Sequence, residues 1–269
     1  VRLSQVISVL DGFYDPGWAA DWDAVGLVCG DPDQEVGRVL FAVDPVAAVA
    51  DEALDWGADL IITHHPLLLR PVHGVPATTP KGRLVHRLIG AGVALYTAHT
   101  NADVADPGVS DALARAVGLT GPLRPLQPDP GDPRRGLGRV GDLASPLPLR
   151  AFAAQAAAGL PATAGGLRVA GDPDRPVRTI AVCGGAGDSL LGTARAAGAD
   201  VYLTADLRHH PASEFTEQGG PALIDAAHWA TEWPWLAAAE HRLTGALDVK
   251  TRVSAVVTDA WTLHFEGEQ

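Results

Sequence analysis

The sequence predicts an α/β fold of two similar α/β halves arising from an internal repeat. Three observations predict it. Gly57-Ala58-Asp59-Leu60-Ile61-Ile62-Thr63-His64-His65 is echoed by Gly198-Ala199-Asp200-Val201-Tyr202-Leu203-Thr204-Ala205-Asp206. The flanks match too: residues 38–43 resemble 178–183 upstream, and residues 92–99 resemble 220–228 downstream. Finally, short apolar runs rich in Val, Ile and Thr alternate with alanine-rich segments, which is the rhythm of β-α-β units on a partly parallel sheet.

The elements follow in order. Val6, Ile7 and Leu10 share one face of an opening amphipathic helix over Leu3–Leu10. Residues 21–30 read as a loop entering a strand, and the first β-α-β unit runs from about Val39 to Thr63. Leu84–Ile89 begins another short helix. Five prolines crowd residues 122–133. Each lacks an N–H donor, so the stretch cannot continue a helix or a central strand, and it is read as the boundary between halves. The expected domains are therefore 1–122 and 123–269. In the second, Ala151–Leu160 reads as helix and Leu167–Ala170 as strand. A second β-α-β unit spans about Thr179 to Asp206, a helix covers Thr231–Leu243, and Val253–Val257 reads as a final strand.

Composition narrows the function classes. Of the 269 residues, 47% are apolar, enough for packed cores. No 20-residue apolar span and no basic start with an apolar h-region occurs, so a soluble, unexported, cytoplasmic chain is expected. A net charge of −12 disfavours nucleic acid, whose backbone needs clustered Lys and Arg. The two cysteines, Cys29 and Cys183, have no C-x-x-C spacing and read as reduced packing residues.

The repeat ends in groups that bind protons and metals. His64-His65 follows an apolar run, and just past a strand end both imidazoles can turn into one cleft. His228 and Glu232 are four apart at the start of a helix, so they share a face, and an imidazole with a carboxylate suits Zn, Fe or Mn. His99 and Asp103 repeat that spacing in the other half. A carboxylate such as Asp103 can bridge two ions. Asp206 stands where the repeat puts His65, with His209-His210 just after; it can orient a ligand histidine, move a proton, or cap a helix. Gly184-Gly185-Ala186-Gly187, between strand and helix, reads equally as an anion cradle or a tight packing turn. It lacks a P-loop Lys, and no nucleotide cofactor is expected. No Gly-x-Ser-x-Gly elbow supports a serine hydrolase.

Together these motifs resemble the GTP cyclohydrolase I type 2 homologs, the Nif-three-like dinuclear metal proteins. The resemblance rests on residues 22–27, Thr63-His64-His65-Pro66, residues 98–103, the 184–187 glycines, residues 198–206 and residues 225–232. It covers nearly the whole chain. It implies two divalent ions in the cleft between the halves, with ligands His64, His65, Asp103, His228 and Glu232. His99, Asp206 and His210 then line that cleft as candidate catalytic residues. It also implies a homohexamer built from dimers. Ala24, Ala205 and His209 depart from the family pattern, and the extra domain of longer relatives is absent. The expected function is a metal-dependent hydrolase for a nucleotide-like or other small anionic substrate. The alternative is a non-catalytic metal-binding or scaffold protein.

Overall fold

The computed structural model describes residues 1–265 and divides the chain into two compact units. Val1–Ala105 with Leu236–Thr258 forms the first, and Asp106–Trp235 with the residues from Asp259 forms the second. The first unit carries α1 (Leu3–Phe13), β1 (Gly26–Cys29), β2 (Arg38–Ala42), α2 (Ala47–Trp56), β3 (Leu60–Thr63), α3 (Pro80–Gly90), β4 (Ala94–Thr97) and α4 (Thr100–Val104). The second carries α5 (Val109–Ala116), β5 (Arg124–Pro128), β6 (Gly136–Pro148), α6 (Leu149–Gly159), β7 (Leu167–Ala170), β8 (Pro176–Ala186), α7 (Leu191–Ala196), β9 (Val201–Ala205), α8 (His209–Glu217) and β10 (Ala222–Ala226). Helix α9 (His228–Ala246) begins in the second unit and ends in the first, where β11 (Lys250–Val253) follows. Among the described residues no helix is long and apolar enough to cross a membrane.

The internal repeat is a repeat of topology. In the first unit the sheet runs β1-β4-β3-β2-β11, and in the second β5-β6-β8-β9-β10-β7. Strands β2, β3 and β4 are mutually parallel, with β1 antiparallel against β4. Strands β8, β9 and β10 are likewise parallel, with β7 antiparallel against β10. The shared Gly-Ala-Asp explains part of this. The Asp59 carboxylate accepts from the N–H of Gly37 and Arg38, each at 2.8 Å, at the start of β2. Asp200 does the same for Arg178 and Thr179, at 2.8 and 2.9 Å. Each carboxylate thus pins the entry of one strand to the turn before the next, which fixes their register.

Burial follows the apolar runs. Residues of β3 and β9 are buried throughout, as strands covered on both faces must be. One face of the first sheet packs Leu40, Ile61 and Leu95 against Val49 and Ala53 of α2 and Leu84 and Leu88 of α3. In the second unit Ile180, Val182, Leu203 and Ile224 pack with Phe152 of α6 and Leu113 of α5. Each fully buried Leu, Ile or Phe contributes roughly 1.5–3 kcal/mol of transfer free energy.

Two details differ from the sequence reading, and the cysteines agree with it. The proline-rich stretch lies inside the second unit, and the compact units part at Ala105 instead. Its residues Arg124–Pro128 form β5, an edge strand, where proline's missing N–H breaks no ladder on the open side. The final strand ends earlier than expected, at Val253, because β11 takes its register from β2, Lys250 opposite Arg38. Ser254 then turns its hydroxyl to Glu52 at 2.6 Å, and the chain leaves the sheet. Both cysteines are free thiols, and burial raises the pKa of Cys29.

Candidate metal centre

In the first unit the candidate residues lie beyond the carboxyl ends of parallel strands, where α/β sheets place their ligands. His64 and His65 follow β3, and His99 follows β4 as the residue before α4. One ligand atom from each of these three histidines falls within 4.8 Å of the others. Asp103, one turn along α4, places a carboxylate oxygen 3.7 Å from His64 Nε2. His64 is fully buried.

Each ring is held by its Nδ1. His64 Nδ1 donates to the carbonyl of Ala98 at 2.9 Å; the carbonyl can only accept, so the proton sits on Nδ1. His65 Nδ1 lies 2.6 Å from Asp44, whose other oxygen accepts from the Thr258 hydroxyl. His99 Nδ1 lies 2.8 Å from Asp23. Burial works against charge on Asp23, yet hydrogen bonds from His99 and from the Thr100 hydroxyl and N–H hold its carboxyl well below the usual range. Asp23 is therefore a carboxylate, and His99 donates. In all three rings Nε2 is the atom left to act as a ligand, as in metal-bound histidines oriented by an outer carboxylate or carbonyl.

The second unit builds the same device from its own strand ends. Asp206 follows β9 and His228 follows β10. His228 Nδ1 lies 2.7 Å from Asp206, and its Nε2 lies 2.9 Å from Oε1 of Glu232, one turn along α9. Two ligand atoms on one ion held at about 2.1 Å stand about 3 Å apart when adjacent, so the spacing fits a common cation. Glu232 is buried.

The glycine turn makes room for this pair. A Cβ on Gly185 would stand 2.6 Å from Glu232 Oε1 and 3.1 Å from His228 Nε2. The backbone there has φ +68°, which glycine adopts without strain. The anion-cradle reading fails, because the protein itself uses the N–H groups. Gly184 donates to the Ser110 hydroxyl at 3.2 Å, Gly185 to Thr231 at 2.9 Å, and Gly187 to Ala205 at 3.3 Å. The turn is a packing device that clears space beside two ligand-type side chains.

Asp206 is the one non-glycine residue with positive φ, +57°, among those described. Helix α8 begins after Arg208 with no side-chain cap, so Asp206 does not cap it; it aims its carboxylate at His228. Such strained backbone collects at functional sites. His209 and His210 lie exposed on the first turn of α8, with ring centroids 5.2 Å apart. His210 is outside every ligand-distance cluster among the described residues. Sequence reasoning missed Asp44. The repeat aligns it with Gly184, so no duplicated signal marked it.

The residues 1–261 match the family model Duf34/NIF3 (NGG1p interacting factor 3). The chain belongs to the DUF34/NIF3 family. It is 58% identical to "GTP cyclohydrolase 1 type 2 homolog" of Streptomyces coelicolor, over 98% of this chain and 94% of that one. The protein of the same description from Mycobacterium bovis is 40% identical over 99% of this chain and 98% of its own length. That alignment spans 374 positions, so the Mycobacterium bovis protein carries segments that this 269-residue chain lacks. The crystal structure of a Bacillus cereus protein related to NIF3 superposes with a TM-score of 0.89 at 24% identity, over 98% of this chain and 99% of that one. The fold is thus the α/β fold of this DUF34/NIF3 member's structural relatives.

Proposed function

We propose that this chain is a dinuclear metal-dependent hydrolase of the DUF34/NIF3 family, acting on a nucleotide-like or other small anionic compound. Its metal ligands are His64, His65, Asp103, His228 and Glu232, for two divalent ions per chain, and Zn, Fe or Mn suits these donors. One observation carries the reading. Four histidines, three in the first unit and one in the second, each have Nδ1 engaged by an oxygen acceptor, which leaves Nε2 as the ligand atom, and Nε2 of His64 and of His228 faces a carboxylate. A structural histidine needs no such tautomer control, whereas a ligand does. The similar relatives named GTP cyclohydrolase 1 type 2 homolog agree with hydrolytic chemistry on nucleotide-like compounds.

When bound, divalent ions supply Lewis acidity and a water of lowered pKa. The chain's own residues do the rest. Asp44 and Asp23 hold the rings of His65 and His99 in one orientation. Asp206, more than half exposed and bonded to His228 Nδ1, can accept a proton from solvent and return it. His99 and His210 are the further candidates for proton movement. Screening metal-loaded protein against nucleotides, phosphoesters and cyclic amides tests the reading: turnover that chelation abolishes is expected. Metal-loaded protein inert to all three classes would favour the metal-binding or scaffold alternative.

In the same reading the protein is cytoplasmic and works as a homohexamer built from dimers. Sedimentation at micromolar concentration is expected to give six copies; a monomer would remove this part of the proposal.

A further inference from the structure

The first unit holds a cavity of about 620 Å³ that borders the metal-ligand candidates. This size lies within the range of small-molecule sites, roughly 300–1,000 Å³. Its walls come from two X-Pro turns, Asp44-Pro45 after β2 and His65-Pro66 after β3, together with the start of α3. Proline has no N–H and fixes its own φ, so these walls are rigid and offer few polar groups. Val46, Ala47, Leu67 and Leu84 complete an apolar lining. At one end stand Asp44 and His65, the carboxylate and the ring it orients. Along α3 stand Lys81, Arg83 and Arg87.

The charge there runs against the rest of the molecule. A chain of net charge −12 with 20 Lys and Arg places three of those cations beside one apolar cavity. Arg87 pairs with Asp51, and Arg83 donates its Nε to the Ala77 carbonyl at 3.2 Å, leaving its terminal nitrogens available. Lys81 and Arg83 are exposed at the rim. Beyond its cations the lining offers little to read the edge of a base: Asp44 already accepts from His65 and Thr258, and Thr78 is the one hydroxyl among the described lining residues. Pro45, Pro66 and Pro80 in the lining carry no N–H.

We infer that this cavity binds a small amphiphilic anion, an apolar or aromatic body carrying one phosphate or carboxylate, with the anion at Lys81 and Arg83 and the body against the Asp44–His65 pair. The inference rests on the proposed hydrolase only in making this molecule the substrate. Ligand binding and metal binding are distinct equilibria, and the two are separable by measurement. Because ligand and ion both touch His65, each should alter the affinity of the other by the same factor.

The test is calorimetric binding of phenyl phosphate to the full chain, metal-loaded and chelator-treated, beside inorganic phosphate and benzyl alcohol. Phenyl phosphate is expected to bind at least 10-fold more tightly than either fragment. The double variant Lys81→Ala/Arg83→Ala should weaken it at least 10-fold, and Ala47→Phe, a change at an exposed position that fills the cavity, should abolish it. Metal content should be unchanged in both variants, and Lys250→Ala on β11 should bind like the parent. Equal affinity for inorganic phosphate, or binding indifferent to both variants, would overturn the inference. Binding that persists in protein unable to take up metal would leave the cavity in place and remove the hydrolase reading alone.

Discussion

Gly185→Ala is expected to cripple metal binding in the second unit. The new Cβ would stand 2.6 Å from Glu232 Oε1, closer than real contacts allow, so the carboxylate must move away from His228. Loss of ligand orientation typically lowers metal affinity 10–100-fold, and moving a ligand itself should do no less. The backbone adds strain of roughly 1–2 kcal/mol, since φ +68° suits glycine and not alanine. Gly187→Ala is the control. Its Cβ would fall 2.1 Å from Thr204 Oγ1 and 2.3 Å from Tyr202 Oη, away from Glu232, so stability should drop while retained folded protein keeps its metal affinity. Metal titration and thermal unfolding of both variants separate the two effects. Equal metal affinity in Gly185→Ala and the parent would show that the turn does not shape the site.

The second large effect separates Asp206 from Glu232. Asn tolerates the left-handed backbone that Asp206 adopts, and its amide oxygen can still accept from His228 Nδ1. Asp206→Asn should therefore keep the metals and lose the carboxylate beside His228. Turnover should fall roughly 10²-fold or more, the usual cost of a missing general acid or base. Glu232→Gln replaces a buried charged donor by a neutral amide and should instead release metal. Metal content measured beside rate decides the roles. Unchanged turnover in Asp206→Asn would remove its catalytic part, and equal metal loss in both variants would make Asp206 a ligand.

The parts of this protein legible in its sequence are those stated twice. Duplicated Gly-Ala-Asp runs, and His99/Asp103 beside His228/Glu232, marked the parallel strands and the ligand-type residues at their ends, because a strand end leaves the same mark in each copy. The structure adds that Asp59 and Asp200 are register pins, a role invisible without knowing which N–H groups lie opposite. Asp44 escaped notice because its partner position in the repeat is Gly184, and a lone Asp before a proline reads as a turn. The 184–187 glycines were ambiguous for a physical reason: an anion cradle and a packing turn need the same backbone freedom. Only the hydroxyls of Ser110 and Thr231 on those N–H groups decide between them. The prolines read as a linker in the sequence form an edge strand in the structure, which tolerates proline as a linker does.

The central claim is that two divalent ions bind per chain through histidines presented by Nε2. Elemental analysis after reconstitution with Zn, Mn or Fe and removal of excess tests it most directly, run beside His64→Ala and His228→Ala. The expected result is two ions per chain in the parent and at least one fewer in each variant. Trace metal in the reconstituted parent, or an undiminished count in both variants, would contradict it.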